Sequence, residues 1–184
     1  MRKEWNAVEI LRHSRHDWLN KIQLIKGNMA LGRYDRVNEI IEEIILESKN
    51  EAKLSNLKAP NLASFLMLFN WEDRTLSLEI EVIGDEQDLS LYDDEITSWC
   101  RNFLNYVNQA VKPVAENHLI LSIQLDEGEV RFIFDFNGII EDKQEILNFL
   151  ENELISPTIK ILDYEVHNDE MIVTVQILTA SEKR

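Results

Sequence analysis

Residues 13–21 read His-Ser-Arg-His-Asp-Trp-Leu-Asn-Lys, so that a histidine followed at once by an acid interrupts a helix-building segment. A neutral imidazole is a good nucleophile near pH 7, and the phosphoramidate it forms exchanges readily with a carboxylate. Each helical residue advances about 100°, which puts His13, His16, Asn20, Gln23 and Gly27 on one stripe. Leu11, Trp18, Leu19, Ile22, Ile25 and Met29 fall roughly opposite. His16 is therefore expected to face solvent, as a histidine passing a phosphoryl group between partners must.

The same stripe has Leu24 and Leu31 beside it as exposed apolar residues, and it carries Gly27 inside the helix, where glycine costs about 1 kcal/mol relative to alanine. A large partner is expected to dock on this side, over His13, Gln23, Leu24, Gly27 and Leu31. Gly27 has a second reading, as a notch for helix packing. Arg12 can lend positive charge beside His16, whereas Arg15 projects toward the bundle side, where an interface or packing role is expected.

The element that must position these residues is a helix from about Trp5 to Leu31, read from its three-four apolar spacing. Gly32 falls past its end, and Asp35 is placed as the N-cap of the next helix. That second helix runs to about Ala52, with Val37, Ile40, Ile41, Ile44, Ile45 and Ser48 on one face and Glu39, Glu42, Glu43 and Glu47 on the other. The two make an antiparallel hairpin. Two helices cannot enclose a core, so the hairpin is expected to pair with a second copy as a four-helix bundle in a homodimer.

Leu54 to Pro60 is the candidate boundary, dividing the chain into residues 1–58 and 59–184. Beyond it the periodicity changes. A short apolar helix is expected over Asn61 to Asn70, a strand over Leu76 to Ile83, and a helix over Tyr92 to Val111 with Ile96, Trp99, Cys100, Phe103, Leu104 and Val107 inward. Leu119 to Leu125 and Val130 to Phe136 read as a hairpin through Asp126-Glu127-Gly128. A helix near Lys143 to Leu150 and strands at Ile159 to Val166 and Met171 to Leu178 complete an α+β sandwich with one mainly antiparallel sheet.

Composition narrows the function. The formal charge of −15 over 184 residues is uneven: residues 1–58 are net +2 and residues 59–184 net −17. A polyanion would be repelled by the second part, which argues against nucleic-acid binding. The longest uncharged run, Ala59 to Trp71, is too short to span a membrane, no secretion signal is read, and a cytoplasmic location is expected. The one cysteine, Cys100, agrees with a reducing compartment and reads as helix packing. His118 and His167 read as solvent-facing, and neither a zinc site nor a serine-histidine-aspartate arrangement is evident.

Residues 13–35, HSRHDWLNKIQLIKGNMALGRYD, closely resemble the sporulation initiation phosphotransferases of the Bacillus phosphorelay (B-type), and the likeness extends through the hairpin and, more weakly, beyond it. The resemblance implies that His16 carries the phosphoryl group and that neighbouring His13 does not. The pattern of histidine, acid, two residues and asparagine is also similar to the phosphoacceptor box of one class of sensor histidine kinases. By that likeness Asp17 orients the imidazole, with an ordinary surface acid as the other reading. Asn20 supplies further support.

The resemblance further implies a donor that is a single-domain response regulator and an acceptor that is a DNA-binding regulator starting sporulation. No cofactor is then needed on this chain, because the regulator brings its own aspartate, lysine and Mg²⁺. The second half resembles a histidine-kinase ATP-binding fold that has degenerated. Matching Asn102 to the kinases' first asparagine puts Tyr106 at the metal-ligand position. Asp135-Phe136-Asn137-Gly138 is similar to the adenine-reading box but lacks its second glycine, and no glycine-rich phosphate loop follows. The competing readings are a kinase-like protein with residual ATP-dependent activity and a non-catalytic dimeric adaptor that binds regulators.

Overall fold

The computed structural model describes residues 5–72, 74–126, 128–152 and 158–178. Its elements, in order, are α1 (Ala7–Ala30), α2 (Tyr34–Asn56), α3 (Pro60–Met67), β1 (Ser77–Gly84), α4 (Asp93–Ala110), β2 (His118–Asp126), β3 (Glu129–Asn137), α5 (Lys143–Asn152), β4 (Ile159–Val166) and β5 (Glu170–Ile177). They form two compact units, Met1–Lys49 and Asn50–Arg184. The division falls inside α2, earlier than the boundary read from sequence, because Leu54 on the last turn of that helix and Leu57 just past its end are buried in the core of the second unit.

In the first unit, α1 starts at a well-formed cap. The Asn6 side-chain oxygen accepts from the Val8 and Glu9 backbone N–H groups, each at 3.0 Å, and its Nδ2 donates to Glu9, which satisfies donors that a helix start leaves without partners. At the other end, Gly32 takes the left-handed conformation (φ 68°). Its N–H donates to the Met29 carbonyl and that of Arg33 to the Asn28 carbonyl, the paired closure that favours glycine at this position. Asp35 is not the N-cap of α2. Tyr34 already begins that helix, the Arg33 carbonyl accepts from the Val37 N–H, and Asp35 sits in the first turn. The helix also continues past Ala52 to Asn56.

Helix α1 buries none of its residues. Those half-buried along it, among them Ile10, Ser14, Lys21, Ile25 and Asn28, lie on one side, and Lys21 on that side pairs with Glu47 of α2. The first helix therefore rests on the second through a mixed surface, with Val37 and Ile40 the residues of α2 that are buried in this unit. The most apolar stripe of α1 stays open, with Leu11 65 %, Trp18 50 % and Ile22 54 % exposed.

The second unit holds a five-stranded sheet in the order β1-β2-β3-β5-β4, with β1 and β2 parallel and the other pairs antiparallel. The β2–β3 hairpin closes as expected through Asp126 and Gly128, while Glu127 of that turn lies outside the described residues. Alternation along β2 and β3 sends Leu119, Leu121, Ile123, Phe132, Phe134 and Phe136 inward. Helix α4 covers them with Trp99, Phe103 and Leu104, and Phe103 packs edge-on to Phe134 at 4.9 Å.

Polar groups inside this unit are spent on joining segments. The buried Asp93 carboxylate at the start of α4 accepts from the Asn61 and Leu62 N–H groups at 2.9 and 2.8 Å, capping α3 from another helix. Buried Asn117 donates to the Lys112, Thr75 and Ala115 carbonyls and accepts from the Ile139 N–H. On the outer edge of β1, Asn70 takes both the N–H and the carbonyl of Leu78, while Asn50 and Lys53 take those of Val82. Side chains thus occupy bonds that an exposed strand edge would offer to another chain.

Candidate functional site

The site residues sit on α1. His16 is the most open of them that carries a nucleophile, its side chain 73 % exposed. Its Nδ1 lies 3.1 Å from the Asn20 amide, one turn on, and 3.7 Å from Asp17 Oδ1. Both contacts are made to the same ring nitrogen, so Nε2 is the nitrogen left to face outward. The amide can serve either tautomer: its nitrogen donates to a bare Nδ1, and after a half turn its oxygen accepts from Nδ1–H. The carboxylate favours the second arrangement, which leaves the lone pair on Nε2.

His13, on the same stripe, is held differently. It is half-buried, with the Trp5 ring packed nearly perpendicular to it at a centroid distance of 5.0 Å. Sequence periodicity had no means of separating these two histidines by environment. The signal that could have done so was Asn6: a strong N-cap fixes where the helix begins and so turns the preceding Trp5 back over the first turns.

Arg12, Gln23, Leu24, Gly27 and Leu31 are all exposed, as expected of a docking side. A Cβ built at Gly27 meets nothing within 4 Å, so this glycine is not a packing notch within the chain. Arg15 is exposed on the side of α1 that carries Leu11, Trp18 and Ile22.

Elsewhere the expected positions are scattered. Tyr106 of α4 is half-exposed and packs at a tilt against Phe149 of α5, with ring centroids 5.0 Å apart. Asp135 lies on the opposite, open face of the sheet, since its neighbours Phe134 and Phe136 point to α4. The two positions that resemble nucleotide-binding residues are therefore on different sides of β3. Gly138 is required by close approach: a Cβ there would lie 2.6 Å from both Asn117 Oδ1 and the Phe136 ring.

His118 is not simply solvent-facing. Its Nδ1 is 3.0 Å from Ser77 Oγ and its Nε2 3.3 Å from Glu79, across the β1–β2 pair. His167 lies 3.9 Å from Glu165. Cys100 is fully buried, and burial pushes its thiol pKa up, which keeps it inert as a nucleophile. Among the described residues no cluster of three or more histidine, cysteine or acidic side chains could hold a metal ion, and no helix is long and apolar enough to cross a membrane.

Comparison with known proteins gives the family of the chain. Residues 1–57 match the family model described as the alpha-helical domain of the SpoOB-type sensor kinases, and residues 58–178 match that of sporulation initiation phosphotransferase B, C-terminal. The chain is 40 % identical over 170 residues to sporulation initiation phosphotransferase B of Bacillus subtilis (strain 168), covering 91 % of this chain and 88 % of that one. Among solved structures it is similar to the catalytic domain of histidine kinase ThkA, at 12 % identity and a TM-score of 0.49, over 72 % of this chain and 96 % of that one. A structure of ThkA in complex with the response regulator TrrA matches at 14 % identity and a TM-score of 0.44, over 96 % and 63 % of the two chains.

Proposed function

This chain belongs to the sporulation initiation phosphotransferase B family, and from that premise we propose that it carries a phosphoryl group on His16 between two response regulators. The His16 Nε2 lone pair attacks the phosphorus of an aspartyl phosphate on a single-domain regulator. The P–O bond to that carboxylate breaks as the P–N bond forms, and the ring gives up its Nδ1 proton to solvent. In the second half the aspartate of a DNA-binding regulator attacks the same phosphorus, the P–N bond breaks, and the imidazole takes a proton back.

The observation that carries this reading is the outward Nε2 of an imidazole whose Nδ1 is engaged by Asn20 and Asp17. Little more is asked of the chain. A loose transition state depends on alignment and on neutralising the equatorial oxygens, and the regulators supply Mg²⁺ and a lysine for that purpose. Arg12 adds positive charge from the exposed side of α1. The regulators dock along His13, Gln23, Leu24, Gly27 and Leu31. No cofactor of its own enters the reaction.

The working form is a cytoplasmic homodimer. The open stripe of Leu11, Trp18 and Ile22 supports a four-helix bundle made from two hairpins. Residues 1–58 then serve as the dimerisation and transfer domain, and residues 59–184 as a kinase-like domain that binds no ATP.

The test is to incubate the purified chain with a phosphorylated single-domain response regulator. Label that is acid-labile and alkali-stable is expected on the wild type and absent from His16→Ala, with His13→Ala retaining part of it and both variants folded. Label that survives His16→Ala and is lost in His13→Ala would reverse the assignment. Binding of the regulator with no label on any form would leave an adaptor.

A further inference from the structure

We infer that Trp5 determines which of the two histidines can be phosphorylated, by covering His13 and leaving His16 open; this rests on the transfer reading above. The two rings share one stripe of one helix and have the same intrinsic nucleophilicity, so helix geometry alone does not choose between them. Their surroundings do. The indole stands nearly perpendicular (78°) to the His13 ring at 5.0 Å, and His13 is half-buried, whereas the His16 side chain is 73 % exposed.

Attack on phosphorus runs along the nitrogen lone pair, in the plane of the ring, with the leaving group on the far side of the phosphorus. An acceptor therefore needs a clear approach for a tetrahedral group and everything attached to it. At His13 the indole, 5.0 Å from the ring centroid, crowds the surroundings of the imidazole, and an aromatic pair of this geometry is itself favourable. Trp5 directly precedes the Asn6 cap, whose extended backbone (φ −98°, ψ 160°) and side-chain bonds to Val8 and Glu9 fix where α1 begins. The cap and the ring together make a selective cover at the start of α1.

A phosphoryl group misplaced on His13 would lie on the same stripe, about one turn from the acceptor, where a regulator aligned on His16 would not reach its phosphorus in line. Covering His13 thus protects the relay from a dead-end product. Trp5 acts through His13 and touches no reacting atom, which makes it a specificity-determining residue and not a catalytic one.

The experiment uses the full chain and potassium phosphoramidate, a donor small enough to need no docking surface. A ring nitrogen attacks the phosphorus, ammonia leaves with the proton that the ring gives up, and a new P–N bond remains. Mass spectrometry then measures the ratio of label on His13 to that on His16 within the same molecules. Wild type is expected to give a low ratio, Trp5→Ala a ratio several-fold higher, and Trp5→Phe, which keeps a ring in place, a ratio near wild type.

A ratio unchanged in Trp5→Ala overturns the proposal, as does a ratio that rises equally in Trp5→Phe. General loosening of the helix would expose both histidines together and would show as lost helicity by circular dichroism; a shift in ratio at constant helicity does not arise that way. Because no regulator is present, this ratio is read independently of whether His16 exchanges phosphate with one. Failure of the transfer reading would appear only in the regulator assay.

Discussion

His16 Nδ1 and the Asn20 amide meet at 3.1 Å across one turn of α1, and this contact, with Asp17 on the same side, sets which ring nitrogen faces outward. An i, i+4 pair on a single helix needs no tertiary structure to form. The imidazole is therefore oriented on a helix that buries none of its residues.

Asn20→Ala is expected to slow transfer by about five- to tenfold, since one hydrogen bond is worth about 1 kcal/mol. Asp17→Asn should slow it further if the carboxylate is what holds the proton on Nδ1. Single-turnover transfer from a phosphorylated regulator measures both. Equal rates in wild type and Asn20→Ala would show that the ring needs no orientation.

Gly27→Ala is expected to raise helix stability by about 1 kcal/mol, because alanine is the better helix former and its Cβ meets nothing. Gly27→Trp keeps the helix but fills the approach to His16. Loss of regulator binding is expected there, with phosphoramidate still labelling the histidine. Normal binding and exchange by Gly27→Trp would put the regulator on the Arg12 and His13 side instead.

Asp93→Ala is expected to destabilise the protein by about 2 kcal/mol, within the range for loss of a cap and of two buried hydrogen bonds. The α3 N–H groups of Asn61 and Leu62 lose their acceptor, and Thr97 loses its own partner on that carboxylate. Urea unfolding followed by circular dichroism gives the value. A cost under about 0.5 kcal/mol would mean that water replaces the carboxylate at both N–H groups.

These two sites differ in how far the sequence discloses them. His16, Asn20 and Gly27 are legible because a helix repeats on a fixed angle, so side-chain neighbours one turn apart follow from spacing alone. The strands of the sheet are legible for the same reason, with a period of two. Asp93 capping α3 and Asn117 tying Thr75 to Ile139 join residues tens of positions apart, where no periodicity operates. The contact of α1 with α2 was likewise not legible: it runs through Ile10, Ser14 and Lys21 and not through the most apolar stripe of α1.

The open apolar stripe of α1 leads to the last expectation, on assembly. Leu11, Trp18, Ile22 and Met29 leave half or more of their area open on one line of α1, and Ile41 and Ile45 are exposed at 40 % and 47 % on α2. A dimer through these faces predicts that Ile22→Glu yields monomers. Each large apolar side chain is worth about 1.5–3 kcal/mol when buried, and a two-fold interface loses it twice, so the dimer should weaken by about a hundredfold or more. Sedimentation equilibrium at micromolar concentration reads this directly. The same substitution leaves His16 and its stripe untouched on the opposite side of the helix, so phosphoramidate should still label the ring. If wild type sediments as a monomer, the stripe is not a self-association surface and the four-helix bundle is wrong. If Ile22→Glu remains a dimer, the two hairpins meet through some other face.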